Sequence, residues 1–474
     1  MRLNTKQIVE ITGGDLVVAP LDDKGIITGL SWDSRQMQPR WAYAALPGER
    51  VDGHDFVAAA IRGGAVLALV SRRPDGDVRT YAAEMGCAIV EVSDVAAAIT
   101  DLARAWRRML HCKVIGITGS VGKTTTKSLV RSVLSAKYRT YATKGNFNNE
   151  LGAPYTVLCA EPDCEMLVLE MGMSSLGEIA HICEFAAPDM GLITNVGTSH
   201  IEYLGTRENI ARAKAELIEA LPDATGKAFL PAACEFNDFI CTEAATEQRH
   251  VDVSVYGGSS PSSDAYATDV VLDEQGRPRF VLHAAGRSVP CELSLRGVHN
   301  VDNACGAASI GLACGIALEE IASALQSTEP EAGRQEFKRA RGGFTVIDDT
   351  YNASPDSMEA GLRTLCSCGF QGRRVAVLGD MGELGDSAAA CHRAVGRFAA
   401  GLEGLDALVC VGELSREMAD AAREAGMDPD RVHWVDGVPG AISVLDGLLD
   451  AGDAVLVKAS HYMGLDRVVG GIIN

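Results

Sequence analysis

With 474 residues, 47% of them hydrophobic and 22% charged, the chain is too long for one domain and has the balance of a globular enzyme. A formal net charge of −20, with the acids spread along the chain, argues against a nucleic-acid partner, which would need a basic face. No apolar run approaches the ~18 residues that span a bilayer, so no membrane insertion is expected; MRLNTKQIVEITGGDL also lacks the apolar core of a signal peptide.

In chain order, residues 1–93 mix short strand-like runs, GAVLALVS and CAIVEV, with the turn-rich ALPGERVDGHDF. A helical stretch, DVAAAITDLARAWRRML, leads into a second block. That block opens with the apolar strand KVIGIT, a glycine loop and the helix TTKSLVRSVLSAK, and continues with the strands EMLVLEMG and MGLITNVG. Strands alternating with helices predict a parallel sheet covered on both faces. Between residues 228 and 296 the pattern changes. DVVLDEQGRPRFVLHAAGRSVPCEL alternates like antiparallel hairpins and predicts a small β insertion before the helix NVDNACGAASIGLACGIAL. A linker is expected near Thr328, Glu329, Pro330 and Glu331. Beyond it, RRVAVLGDMGELG, DALVCVGELS and DAVLVKASHYMG repeat strand, loop and helix, as a Rossmann-like domain does without a GxGxxG fingerprint. The expected fold class is therefore α/β in three domains, at 1–93, 94–329 and 330–474. The fourteen cysteines contain no C-x-x-C pair, and most sit in apolar runs, so reduced buried thiols are expected.

The stretch GITGSVGKTTTK carries the chemistry. The common phosphate loop, G-x-x-x-x-G-K-[ST], would place its first glycine at Ile117; here it falls at Gly119, so the loop is shorter. Gly119 and Gly122 let the backbone turn its N–H groups inward, Lys123 adds an ammonium, and Thr124 offers a hydroxyl to magnesium. A glycine turn between strand and helix is the plainer alternative. Partition-type ATPase switches also use a shortened loop, but their extra lysine would stand at Thr118 and is absent.

Glu170 ends the apolar run LVLE, and His200 follows the run LITN. The ligand crevice of an open α/β sheet lies just beyond such strand ends, so both are candidate metal ligands; a surface carboxylate and a loop histidine are the plainer readings. In RENIARAKAELIEAL, Ile210, Leu217, Ile218 and Leu221 form an apolar stripe, and Lys214 falls on it. Either Lys214 snorkels, its stem buried and its ammonium in water, or it is a functional lysine facing the site.

TGSVGKTTTK, GNFNNELGAP, EMGMSSLGEIA, ITNVGTSHIEYLG, ARAKAEL, GVHNVDNACGA, GRQE, DDTYNASPDSM and LGDMGELG together resemble the Mur ligase family, and WDSRQMQP and ALPGERVDGHDF extend the resemblance into the first block. The resemblance implies an N-terminal uridine-nucleotide domain, a central ATPase domain and a C-terminal ligase domain. It implies ATP-dependent joining of D-alanyl-D-alanine to UDP-N-acetylmuramoyl-tripeptide through an acyl phosphate, with ATP and magnesium, in the cytoplasm, by a monomer. Gly119, Ser120, Val121, Gly122, Lys123, Thr124 and Thr125 would hold phosphates. Thr124, Glu170, His200 and a carbamylated Lys214 would hold magnesium, with Lys123, Lys214 and His200 as catalytic groups. His299, Asn300 and Asn303 would lie near adenine, and Arg334 and Asp349 would reach the nucleotide from the third domain. Ser34, Arg35, Gly53 and His54 match the uridine segments. Asn146, Asn148, Asn149, Asn352, Ser460 and His461 are the remaining candidate substrate contacts. The member acting one step earlier, a folylpolyglutamate-type ligase and an ATPase switch are the alternatives; the chain has no DNPR motif and does have a long first block. It departs from the family pattern at Val121, often a polar residue, and in VKASHYMG, where Ala459 and His461 replace the glycine and arginine of KGSR.

Overall fold

A computed structural model describes residues 1–22, 24–48 and 51–473; Glu49 and Arg50 of ALPGERVDGHDF lie outside the described residues. The chain forms two compact units. The first comprises Met1–Gly116, Tyr138–Gly172 and Glu178–Asp189, and the second Ile117–Lys137, Met173–Gly177 and Met190–Asn474.

The first unit contains a five-stranded sheet ordered Asp15–Val18, Ala88–Glu91, Ala65–Val70, Trp41–Ala44, Gly29–Ser31. The Asp15–Val18 edge is antiparallel to its neighbour and the other pairs are parallel. Ala65–Val70 is buried along nearly its whole length, as expected of a central strand covered on both faces. Asp94 caps the next helix, Val95–Met109, accepting from the N–H groups of Ala96 and Ala97. Ile99, Leu102, Ala103 and Trp106 bury one stripe of that helix, and the Trp106 indole donates to Ala160 O at 3.0 Å. The helix thus belongs to the first unit, tied by a contact distant in sequence that no periodicity signals. The same unit pairs Thr140–Ala142 in parallel with Met166–Glu170.

In the second unit, Met190–Ile193, Lys227–Pro231 and Asp252–Tyr256 are parallel neighbours. The expected β insertion is not a separate body. Ala265–Leu272 pairs with the end of Asp252–Tyr256, and Pro278–Ala284 and Arg287–Glu292 follow it antiparallel, so the hairpins extend the same sheet. The tight turn between the last two strands uses Ala285 and Gly286, both at positive φ, which matches the twist of the flanking strands.

The C-terminal sheet is ordered Glu336–Arg339, Thr345–Asp349, Ala454–Lys458, Arg374–Gly379, Ala407–Val411, Val432–Val435. Only its first pair is antiparallel. Apolar clusters cover both faces: Met358, Leu362 and Leu365 on one, Leu445, Val468 and Val469 on the other. This is the doubly wound arrangement expected for the third block, with its crevice at the carboxyl ends, where Asp349 and Lys458 stand. Among the described residues, no helix is long and apolar enough to cross a membrane.

Candidate active site

The strand Lys113–Thr118 runs into the glycine loop, and the helix Lys123–Ser135 leaves it. Gly119 sits at φ +151; a Cβ there would lie 1.8 Å from Thr194 Oγ1. Gly122 sits at φ +82, and its Cβ would lie 3.1 Å from Asn303 Oδ1. Gly119 therefore requires glycine on conformation and space together, and Gly122 on conformation, with Asn303 close by. The segment after Met190–Ile193 braces the loop. Asn195 Oδ1 accepts from the N–H groups of Ser120 and Val121, each at 3.0 Å. Thr194 Oγ1 donates to Val121 O at 2.6 Å, and Ser120 Oγ accepts from Gly197 N–H at 2.9 Å. The side chain of Val121 is not used in this bracing, which explains why an apolar residue is tolerated there.

Thr126 N–H donates to Gly122 O at 2.8 Å, so the N–H groups of the helix's first turn point toward the loop. They make the positive end of the helix dipole. Lys123 Nζ arches over the loop and donates to Gly119 O at 2.6 Å. A cradle that a Cβ would fill, a helix start and a lysine fit a nucleotide's phosphates.

Asn303 meets this loop directly. Its Oδ1 accepts from Thr126 Oγ1 at 3.2 Å, its Nδ2 donates to Asn300 Oδ1 at 3.0 Å, and Asn300 Nδ2 donates to Arg296 O at 2.6 Å. Asn303 lies against Gly122 of the loop.

His200 follows on the same segment as Asn195. Its Nδ1 lies 2.7 Å from Glu383 Oε2. The Glu383 carboxyl is held below the ordinary range by His200 first and by the Lys123 charge among the lesser causes. Lys214, on the helix Arg207–Glu219, is 1% exposed, so its ammonium does not snorkel to water. Burial, and then the charge of Lys123, push its pKa well below that of an ordinary lysine. Lys123 is thus the charge common to Glu383 and Lys214.

Glu170 belongs to the first unit, whereas Thr124, His200 and Lys214 belong to the second. It is 1% exposed, and its Oε1 accepts from Asn148 Nδ2 at 2.8 Å. Asn149 Oδ1 accepts from Gly152 N–H at 2.8 Å, where the helix Gly152–Cys159 begins; the Asn146 carbonyl accepts from Asn148 N–H. Among the described residues, no three His, Cys, Asp or Glu side chains gather as a metal cage. Magnesium needs no such cage: it takes one or two protein oxygens, such as the Thr124 hydroxyl at the start of the loop's helix, and completes its shell with water and phosphate.

The C-terminal candidates converge on a residue absent from the sequence-based set, Lys458. Its Nζ lies 2.9 Å from Asp349 Oδ2 and donates to Asn352 O at 2.8 Å. Burial raises the Asp349 pKa, with Lys458 and Arg334 opposing it. His299 is pushed down to about 4 by burial and by the Lys458 charge. The Arg334 guanidinium lies 4.0 Å over the Tyr351 ring, whose other neighbour is the His461 ring at 5.9 Å. Ser460 is buried and accepts from Gly382 N–H at 2.9 Å, so its hydroxyl braces the LGDMGELG loop. Lys458 ends an apolar strand, the same signal that singles out Glu170. Asn195 stands at the end of the run LITN and carries the same signal; Glu383 does not.

In the first block, Asp33 engages Arg35 with both carboxylate oxygens, at 2.9 Å each, and Arg35 draws its pKa down to about 2. The Arg35 side chain is 87% exposed, on the three-residue turn Ser34–Gln36. His54 differs. Its Nδ1 lies 2.6 Å from Asp52 Oδ1, and its Nε2 accepts from Ser71 N–H at 2.9 Å. Both ring nitrogens are engaged inside the block, so His54 shapes the Gly53 turn and offers no free nitrogen to a substrate. Gly53 is needed there because a Cβ would lie 2.6 Å from Leu46 O.

Comparison with known proteins agrees with this geometry. Residues 26–107 match the model described as Mur ligase family, catalytic domain; residues 117–311 match the Mur ligase middle domain; residues 333–461 match the Mur ligase, glutamate ligase domain. The chain is 38% identical to UDP-N-acetylmuramoyl-tripeptide–D-alanyl-D-alanine ligase of Mycobacterium tuberculosis, over 100% of this chain and 98% of that relative. Its fold is similar to a crystal structure of MurF from Acinetobacter baumannii, with a TM-score of 0.86 at 31% identity, covering 100% of this chain and 99% of that one. It is also similar to MurF ligase from Thermotoga maritima in complex with ADP, with a TM-score of 0.77 at 27% identity over 94% and 97% of the two chains. With three matching domain models and a 38% identical relative spanned end to end, the chain belongs to the Mur ligase family.

Proposed function

We propose that the protein joins D-alanyl-D-alanine to UDP-N-acetylmuramoyl-tripeptide at the expense of ATP, giving the pentapeptide precursor of peptidoglycan. The observation that carries this reading is the braced phosphate loop whose Lys123 charge reaches both Glu383, the partner of His200, and the buried Lys214. We assign residues 1–93 to the uridine-nucleotide domain, 94–329 to the ATPase domain and 330–474 to the ligase domain. The enzyme acts as a monomer in the cytoplasm.

The loop N–H groups and Lys123 hold the phosphates of ATP and lower the repulsion met by an approaching carboxylate. The γ-phosphoryl group passes to the terminal carboxylate of the tripeptide, giving an acyl phosphate and ADP. The free amine of D-alanyl-D-alanine then attacks the acyl carbon; phosphate leaves, the amide forms, and the amine gives up a proton. Thr124, Glu170, His200 and Lys214, the last as its carbamate, are the residues that would hold magnesium. When bound, magnesium neutralises charge between carboxylate and triphosphate. Arg334, Asp349 and Lys458 bring the C-terminal block to the nucleotide, with His299, Asn300 and Asn303 on the other side. Ser34 and Arg35 face the uridine nucleotide, and Asn148 orients Glu170. Chemistry of this kind needs no protein nucleophile.

The decisive assay is phosphate release. It is expected only when ATP, UDP-N-acetylmuramoyl-tripeptide and D-alanyl-D-alanine are all present. Comparable release with a folate and glutamate, with a single amino acid as the amine, or with ATP alone would refute the assignment.

His461 is assigned to the incoming substrate beside Arg334 and Tyr351. His461→Ala is expected to raise the Michaelis constant for one substrate about tenfold with kcat little changed. An unchanged Michaelis constant for both substrates would remove His461 from the substrate site.

A further inference from the structure

His200 and Glu383 come from segments far apart in the chain and meet at 2.7 Å. Each is a non-glycine residue in the left-handed region, His200 at φ 64 and Glu383 at φ 62. Such backbone persists only where surrounding contacts impose it, and it concentrates at functional sites. The contacts are present on both sides. Glu202 N–H donates to Glu383 O at 3.4 Å, and Gly385, itself at positive φ, packs against the Glu202 stem. On the other side, the segment leading to His200 is tied to the phosphate loop through Gly197 N–H to Ser120 Oγ and through Ser199 Oγ to Ser120 O.

At 2.7 Å, two lone pairs facing each other would repel, so a proton lies between Nδ1 and the carboxylate. Among the described residues Nδ1 meets no acceptor in straight hydrogen-bond geometry, so the carboxylate favours a proton on Nδ1 through its negative charge at close range rather than through a linear bond. With the proton on Nδ1, the lone pair is on Nε2. Histidines that bind metals commonly have their second nitrogen held in this way by a carboxylate, which sets tautomer and ring orientation.

We propose that Glu383 is a positioning residue: it holds His200 as the Nδ1–H tautomer with Nε2 presented to a divalent cation. Because Glu383 stands on the C-terminal block, the readiness of the metal site depends on how that block is seated. The inference rests on the proposed role of His200 in holding magnesium.

The test uses full-length protein labelled with nitrogen-15 at histidine, with His200→Gln identifying the His200 signals. At about pH 8 and without nucleotide, wild type is expected to show His200 as Nδ1–H. Glu383→Gln should keep that signature, since its amide oxygen accepts the same proton. Glu383→Ala should shift it toward Nε2–H. With ADP present and manganese as the probe, the affinity for manganese, followed by electron paramagnetic resonance, should fall about tenfold in Glu383→Ala and markedly less in Glu383→Gln. An unchanged tautomer in a folded Glu383→Ala, or a tighter metal in Glu383→Ala than in Glu383→Gln, would overturn the proposal. If His200→Gln itself leaves manganese binding unchanged, the underlying role of His200 fails. If it weakens binding while Glu383→Ala does not, only the positioning role of Glu383 fails.

Discussion

Lys123→Ala is expected to lower the rate of ligation by about a thousandfold or more while the protein stays folded. In the structure Lys123 Nζ donates to main-chain oxygens of its own loop, at Gly119 O and, at 3.4 Å, Ser120 O. The loop itself is braced from outside by Thr194, Asn195 and Gly197, and these contacts survive the substitution. What is lost is the cation at the phosphates, whose interaction strengthens as charge redistributes in the transition state. A loss of that kind is on the order of several kcal/mol. Phosphate release with all three substrates measures the rate, and a thermal melt within a few degrees of wild type verifies the fold. Turnover close to wild type would remove Lys123 from the site. A second consequence follows from its neighbours. Lys123 is one of the causes depressing both the Lys214 and the Glu383 pKa, so the substitution should ease the penalty on a protonated Lys214.

Lys214→Ala is expected to lower kcat by about a hundredfold or more, and added formate or acetate is expected to restore part of it. Snorkelling would have made this residue a solvated charge and its loss a minor one. The structure leaves it 1% exposed, with Ile210, Leu217 and Ile218 of the same stripe fully buried. Burial disfavours the ammonium and favours the neutral amine. That amine is the reactive form toward carbon dioxide. Its nitrogen pair forms the new N–C bond, one C=O π pair moves onto oxygen, and a proton leaves for solvent. The product is an anionic oxygen donor of the sort magnesium prefers, longer in reach than an aspartate or glutamate at the same position. Carbon-13 bicarbonate and NMR on the wild type should show the carbamate, and its signal should vanish in Lys214→Ala. A fully active variant, or a plain amine under bicarbonate with magnesium and nucleotide bound, would defeat the assignment.

The family resemblance and the α/β character were legible because they rest on local signals. GAVLALVS and DAVLVKAS are continuous apolar runs, and runs of that kind become strands buried on both faces. The β hairpins were legible as hairpins, through alternation and turn residues. Their attachment was not, because pairing Ala265–Leu272 beside Asp252–Tyr256 is a choice of neighbour, which alternation does not encode. His54 was legible as a candidate, but its surroundings were not. Nothing local says that Asp52 and Ser71 take both of its nitrogens; Ser71 reaches it only because Ala65–Val70 ends beside the Gly53 turn.

By itself, the sequence determined the phosphate loop. A strand, two glycines, a lysine and a helix start lie within a few residues of one another, and the backbone conformation they need is a property of those residues alone. It determined the stripe that carries Lys214 for the same reason, since helical spacing is local. The tertiary structure decided what surrounds these parts. It brought Asn195 onto the loop, Glu383 onto His200, and Lys458 among Asp349, Asn352 and His299. It also decided that Lys214 is sealed from water. Each of these joins the carboxyl end of one strand to a loop from another, and loop-to-loop distance is set by how sheets and helices pack, which residue type and spacing along the chain do not carry.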